Sequence, residues 1–187
     1  MGEWFDTGHF LNPDKIALAE RALNPRFSIP EADLLAAEKV EQAAERYLSE
    51  KTSVLVETVL SSDKYKRFWT MAGEHGFERH LIYIGLDSPE ISVQRVRNRA
   101  SLGGHDVPED RLRSRFGRSL DNLAWFAKEA DRHLLLNGGL DYRLTAFGIG
   151  KRMVFRDRML PWIDKVFHGF EKVQRLERDT RYKGLGF

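Results

Sequence analysis

The sequence predicts a three-layer α/β domain built on a parallel sheet, and three observations carry that prediction. Short apolar runs, SVLVETVL at 53–60 and RHLIYIGL at 79–86, read as buried strands. Segments with helical periodicity fill the intervals between such runs, which is the alternation of an α/β fold. The chain has 187 residues, 42% of them hydrophobic and 31% charged, so it is expected to fold as a single domain with one substantial core rather than stay disordered.

Taken in order, Gly8 to Asn12 reads as a short strand that ends at the turn signal Asn12-Pro13. Pro13 suits the first position of a helix over Asp14 to Arg21. After a loop with two prolines, Glu31 to Glu50 reads as a helix, because Leu35, Val40, Ala44, Tyr47 and Leu48 recur near the helical period. Ser61, Ser62 and Asp63 offer capping oxygens for a helix from about Lys64 to Glu74. Ser88-Pro89-Glu90 opens a helix that runs to about Leu102 and stops at Gly103-Gly104. Pro108 opens another, reaching about Ala130, with no strand between the two, so residues 89–131 are expected to project as a helical lid. Arg132 to Leu136 is a further buried strand, and 142–147 with 152–155 reads as a hairpin. Asp157 to Glu177 reads as an amphipathic helix interrupted near Pro161, followed by a polar tail to Phe187.

The formal net charge of +2 hides an asymmetry. Through Gln94 the chain carries 10 basic and 16 acidic residues; beyond it, 20 basic and 12 acidic. Arg95 to Leu123 alone holds seven arginines, at 95, 97, 99, 111, 113, 115 and 118. Arg95 and Arg99 share one helix face, as do Arg111, Arg115 and Arg118, so two guanidinium rows joined by a Gly-Gly hinge can close on a polyphosphate. The competing reading is a solvated surface with intrahelical pairs to Glu109, Asp110 and Asp121.

Three acidic or hydroxyl positions fall where the carboxyl ends of strands gather ligands, namely Asn12 to Asp14, Glu57-Thr58 and Asp87. Asp14 can accept a proton from a hydroxyl or simply favour the helix dipole. Glu57 ends an apolar strand, where a carboxylate must be paired, at the rim or functional. His105 reads as a loop histidine. No histidine pair has metal-ligand spacing, no cysteine is present, and no G-x-S-x-G supports a serine hydrolase, so no metal site is expected.

In their order, FLNPDKIA, VETVLSS, IYIGLDSPEISVQRVRNRASLGGHDVPEDRLRSRFGRSLDNL and AD-x-x-LLLN resemble the zeta-toxin-like P-loop kinases. The likeness is to the small bacterial predicted-ATPase branch related to UDP-N-acetylglucosamine kinases, and it covers about Phe10 to Asn137. It implies a P-loop kinase fold and transfer of phosphate from ATP, with Mg²⁺, to a small-molecule hydroxyl. Asp14 falls on the family's general base, Glu57 and Thr58 on the acceptor-side E-T pair, and Arg99, Arg115 and Arg118 on the lid arginines near ATP phosphates. An antitoxin protein is the implied macromolecular partner.

Two departures from the family matter. E-T-T-L reads Glu57-Thr58-Val59-Leu60 here, and no G-x-x-x-x-G-K-[ST] occurs in the sequence. That motif supplies a backbone cradle, a phosphate lysine and a Mg²⁺ ligand, so the expectation is a kinase fold lacking its first strand and P-loop, binding ATP poorly or not at all and inactive as this chain. A pseudoenzyme or anion- or protein-binding module on the same fold is the alternative. The opening MGEWFDTGHF has no basic-then-apolar leader pattern, and no run spans a bilayer. With zero cysteines the expectation is a cytoplasmic protein with neither a membrane nor a nucleic-acid partner.

Overall fold

A computed structural model describes residues 9–102, 107–139, 142–156, 161–166 and 171–172. The fold is mixed α/β, and its residues gather into two compact units, Met1–Arg79 and His80–Phe187, within the span read from sequence as one domain.

In the first unit, β1 (His9–Leu11) pairs in parallel with β2 (Val54–Val56), setting Leu11 opposite Val56. Two helices, α1 (Pro13–Leu23) and α2 (Ile29–Ser49), separate these strands. Ser28 and Glu31 form a reciprocal capping box at the start of α2, which also holds the Glu31 carboxyl below its ordinary range. Along α2 the buried residues are Ala32, Ala36, Val40, Ala44 and Leu48, a strict four-residue stripe down one face. Its small alanines let α1 approach, so that Ala17 packs with Ala32 and Ala36, and Lys39 meets Glu20 at 2.6 Å. A 3₁₀ turn (Asp63–Tyr65) leads into α3 (Lys66–Glu74), which Arg67 ties to Glu41 of α2 at 3.2 Å.

The strand expected over 53–60 ends at Val56. Leu60 has φ of 59°, a left-handed conformation costly for a branched side chain, and its N–H donates to the Thr58 hydroxyl at 3.2 Å. This local turn takes the chain out of the strand.

The second unit is a five-stranded sheet in the order β3-β4-β5-β6-β7. Its strands are β3 (His80–Gly85), β4 (Arg132–Asn137), β5 (Arg143–Ile149), β6 (Arg152–Arg156) and β7 (Glu171–Lys172). Only β3–β4 and β6–β7 are parallel, and β4–β5–β6 run antiparallel, so the all-parallel expectation is corrected to a mixed sheet. The cause is the expected hairpin, whose two-residue turn Gly150-Lys151 uses the positive φ of Gly150 (54°). Between β3 and β4 stand α4 (Pro89–Ser101) and α5 (Glu109–Glu129). The helix expected over 157–177 is present as α6 (Pro161–Val166), while 171–172 form β7 instead; the rest of that span and the tail lie outside the described residues.

The core of the second unit gathers Leu123 and Phe126 of α5, Ile163 and Val166 of α6, and Leu135 and Ala146 of the sheet. Trp162 lies against Gly85, where an added Cβ would come within 2.6 Å of its ring. Tyr83 shares a 3.1 Å hydrogen bond with Ser119, and burial pushes its hydroxyl pKa up against that bond. His133 is wholly buried on β4 opposite Gly148 of β5, and an added Cβ at 148 would stand 2.2 Å from its Nε2.

Gly148→Ala is therefore expected to destabilise the protein by about 1–3 kcal/mol, read as a lower urea midpoint. His133→Ala in the same chain should recover part of the loss. Burial also pushes His133 down to about 4 from an ordinary 6.5. The unfolded chain binds this proton and the native one resists it, so the contribution is full above about pH 6.5 and falls away towards pH 4. Its size is about 3 kcal/mol. His133→Leu should flatten that part of the melting-temperature profile relative to the parent.

Candidate functional site

In the first unit the candidate site stands at the carboxyl ends of β1 and β2. Asn12 follows β1 and caps α1, its Oδ1 accepting the Lys15 N–H at 2.9 Å. Pro13, with no N–H to satisfy, fits the first turn, and Asp14 sits beside it in the positive end of the helix dipole. From the other strand, the Glu57 N–H donates to the Leu11 carbonyl at 2.9 Å, which extends the ladder one residue beyond β2. The Glu57 carboxylate accepts from Asn12 Nδ2 at 2.5 Å. Asp14, Glu57 and Thr58 are all exposed. The structure thus joins the N-P-D turn to the E-T strand end through Asn12.

The third strand end predicted for this rim, Asp87, belongs to the second unit. There the parallel strands β3 and β4 finish together, and Gly138 N–H donates to Gly85 O at 2.8 Å. Asn137, nearly buried, donates to Asp87 at 2.9 Å and accepts from the Gly139 N–H at 2.9 Å. Arg95 reaches across from α4 to the carbonyls of Gly138 and Gly139. Its guanidinium clamps this loop, although the residue, like Arg99, is exposed.

The arginines of α4 and α5 divide by partner. Arg97 pairs with Glu109 and Arg113 with Glu90, so these ion pairs cross between the helices and are not the intrahelical pairs considered above. The Ser88 hydroxyl, the Glu90 amide and Arg113 hold the Glu90 carboxyl down to about 2. Arg118 donates to Ser114. Among the described residues no hydrogen bond or ion pair engages the side chains of Arg99, Arg111 or Arg115; Arg99 and Arg111 are exposed and Arg115 is half-buried. A cleft of about 210 Å³ between α4 and α5 is walled by Val93, Val96, Leu112 and Pro108 with the Arg97–Glu109 pair. It is smaller than the ~300–1,000 Å³ that drug-sized ligands occupy. Gly103, Gly104 and His105 lie outside the described residues.

Sequence reasoning named Asp14, Glu57, Thr58, Arg99, Arg115 and Arg118, and it missed the bridging roles of Asn12, Asn137 and Arg95. The available signal was an asparagine at a strand end, before Pro13 in one case and before Gly138-Gly139 in the other. Among the described residues no three His, Asp or Glu side chains gather to hold a metal ion, and no helix is long and apolar enough to cross a membrane.

No protein-family model matches the sequence, and no solved structure matches it. An uncharacterized protein of Haemophilus influenzae is 30% identical over 106 residues, which is 57% of this chain and 73% of that protein. With this identity sustained across nearly three quarters of the relative, the chain belongs to the same family as that Haemophilus influenzae protein.

Proposed function

We propose that the chain is of the zeta-toxin phosphotransferase type, whose chemistry moves the γ-phosphate of ATP to a hydroxyl of a small molecule, on a P-loop kinase-like three-layer frame, in a sequence that itself holds no G-x-x-x-x-G-K-[ST]. The observation that carries this reading is the 2.5 Å bond from Asn12 to Glu57, which draws the N-P-D and E-T segments to one strand end. In this reading Asp14 takes the proton of the attacking hydroxyl, and Glu57 and Thr58 hold the acceptor, for which the resemblance points to a nucleotide sugar. Arg99, Arg115 and Arg118 meet phosphate oxygens as the nucleotide binds. Mg²⁺ finds no three-residue donor set among the described residues, so no step is assigned to it. A cytoplasmic location and an antitoxin partner belong to the same reading.

A second reading, an anion- or protein-binding module on this fold, is favoured by one specific pair of facts. The sequence holds no G-x-x-x-x-G-K-[ST], yet Arg99, Arg111 and Arg115 stand without partners among the described residues. Such a basic face needs no phosphate loop to attract an anion.

Calorimetric titration with Mg-ATP separates the two. The kinase reading expects saturable binding that weakens about tenfold or more in Arg99→Ala or Arg115→Ala, the effect of losing one charged hydrogen bond. A folded chain that takes up no ATP favours the second reading. Asp14→Asn is expected to leave ATP affinity unchanged and to slow transfer by about 10²–10⁴-fold, followed as ADP release. Unchanged turnover would remove Asp14 from the role of base.

A further inference from the structure

The Asn12 side chain makes two bonds of different kinds at one point of the first unit. Its Oδ1 accepts the Lys15 N–H at 2.9 Å, and its Nδ2 donates to Glu57 Oε2 at 2.5 Å. An amide has one accepting and one donating end, so these partners fix its orientation: a backbone donor faces the oxygen, and a carboxylate faces the nitrogen. The backbones are fixed as well, because the Glu57 N–H donates to Leu11, the residue immediately before Asn12. An exposed glutamate at a strand end would otherwise sample several rotamers. Held by Oε2, the exposed Glu57 still has Oε1 as an acceptor, and the residue that holds it, Asn12, caps the helix whose first turn carries Asp14.

We propose that Asn12 is the positioning residue of the acceptor side: its amide holds the Glu57 carboxylate against the start of α1, so that Asp14 and Glu57 address one bound hydroxyl compound together. This rests on the phosphotransferase reading above and goes beyond it by assigning a residue that touches no reacting atom. The geometry makes the role separable from capping. Aspartate caps helices about as well as asparagine but has no donor to offer Glu57, and serine, also a good cap, carries its one hydroxyl donor a bond closer to the backbone than the Nδ2 amide. Aspartate, moreover, sets a second negative charge against it.

The test uses the full chain with UDP-N-acetylglucosamine as the probe, titrated calorimetrically against the parent, Asn12→Ser, Asn12→Asp, Glu57→Ala and the double variant Asn12→Ser/Glu57→Ala. Melting temperatures are read in parallel. Asn12→Ser is expected to melt within about 2 °C of the parent, since its cap is retained, and to bind the probe about tenfold or more weakly. Asn12→Asp should bind at least as weakly as Asn12→Ser. The double variant should bind no worse than Glu57→Ala alone, because Asn12 acts through Glu57. Parent-like affinity in Asn12→Ser, or losses that add in the double variant, would overturn the inference and leave Asn12 a helix cap. That result would leave the acceptor reading standing, because the parent still binds. A parent chain that takes up no probe overturns the acceptor reading itself, and this inference falls with it.

Discussion

Glu57 donates its N–H to the Leu11 carbonyl one residue beyond the short β1–β2 ladder, and the arrangement of the first unit depends on that bond. Three residues on each strand make a marginal pair. The extra bond carries the parallel register forward to the point where both chains turn away, β1 into a helix and β2 into the Thr58–Leu60 turn. Because parallel strands finish side by side, the first residues of both connections become neighbours. The cap of α1 and the carboxylate of Glu57 therefore meet although 45 positions separate them in sequence. Packing behind the strands secures this, through the alanine stripe of α2 and its contact with Ala17.

The second unit repeats the device with different residues. Here too a parallel pair, β3–β4, ends in step, and an asparagine bridges a carboxylate to the backbone. The difference is that this asparagine is buried and that Arg95 reinforces it by fastening the Gly138-Gly139 loop. The same economy runs through the arginine-rich arm. Charges at 97 and 113 join helix to helix, 95 fastens the strand-end loop, and 99, 111 and 115 face no protein partner among the described residues. Exposed pairs of this kind contribute little to stability. Their greater effect is geometric, since they set how the two helices lie against each other.

Most of the elements were legible in the sequence because their signals are local. Asn12-Pro13, Ser88-Pro89 and the four-residue stripe from Ala32 to Leu48 act within a turn or two of themselves. The hairpin around Gly150-Lys151 was legible for the same reason. The sheet's direction was not, because alternating strands and helices describe β1 to β4 while the antiparallel β5 and β6 obey a turn and not a crossover. An amphipathic pattern over 157–177 gave no warning that 171–172 would pair with β6. Within the candidate site, the residue types at 14, 57 and 58 stood out by chemistry, whereas the bridge through Asn12 depends on register between distant segments. Spacing along one helix likewise suggested a pair for Glu109 within α5, and the structure forms it across to Arg97 of α4.

The contact between His133 and Gly148 has a consequence for how this family can change over time. The two positions share a single volume, filled from one side by an imidazole and left empty on the other by a hydrogen atom. A side chain cannot be gained at 148 while a ring stays at 133, and a ring lost from 133 leaves a hole that glycine does not fill. Substitution at either site alone passes through a less stable intermediate, so the pair drifts as a unit. A side chain at 148 would also press on the Arg152 carbonyl, 2.8 Å from its Cβ, so in divergent relatives glycine should persist at 148 wherever a ring fills 133.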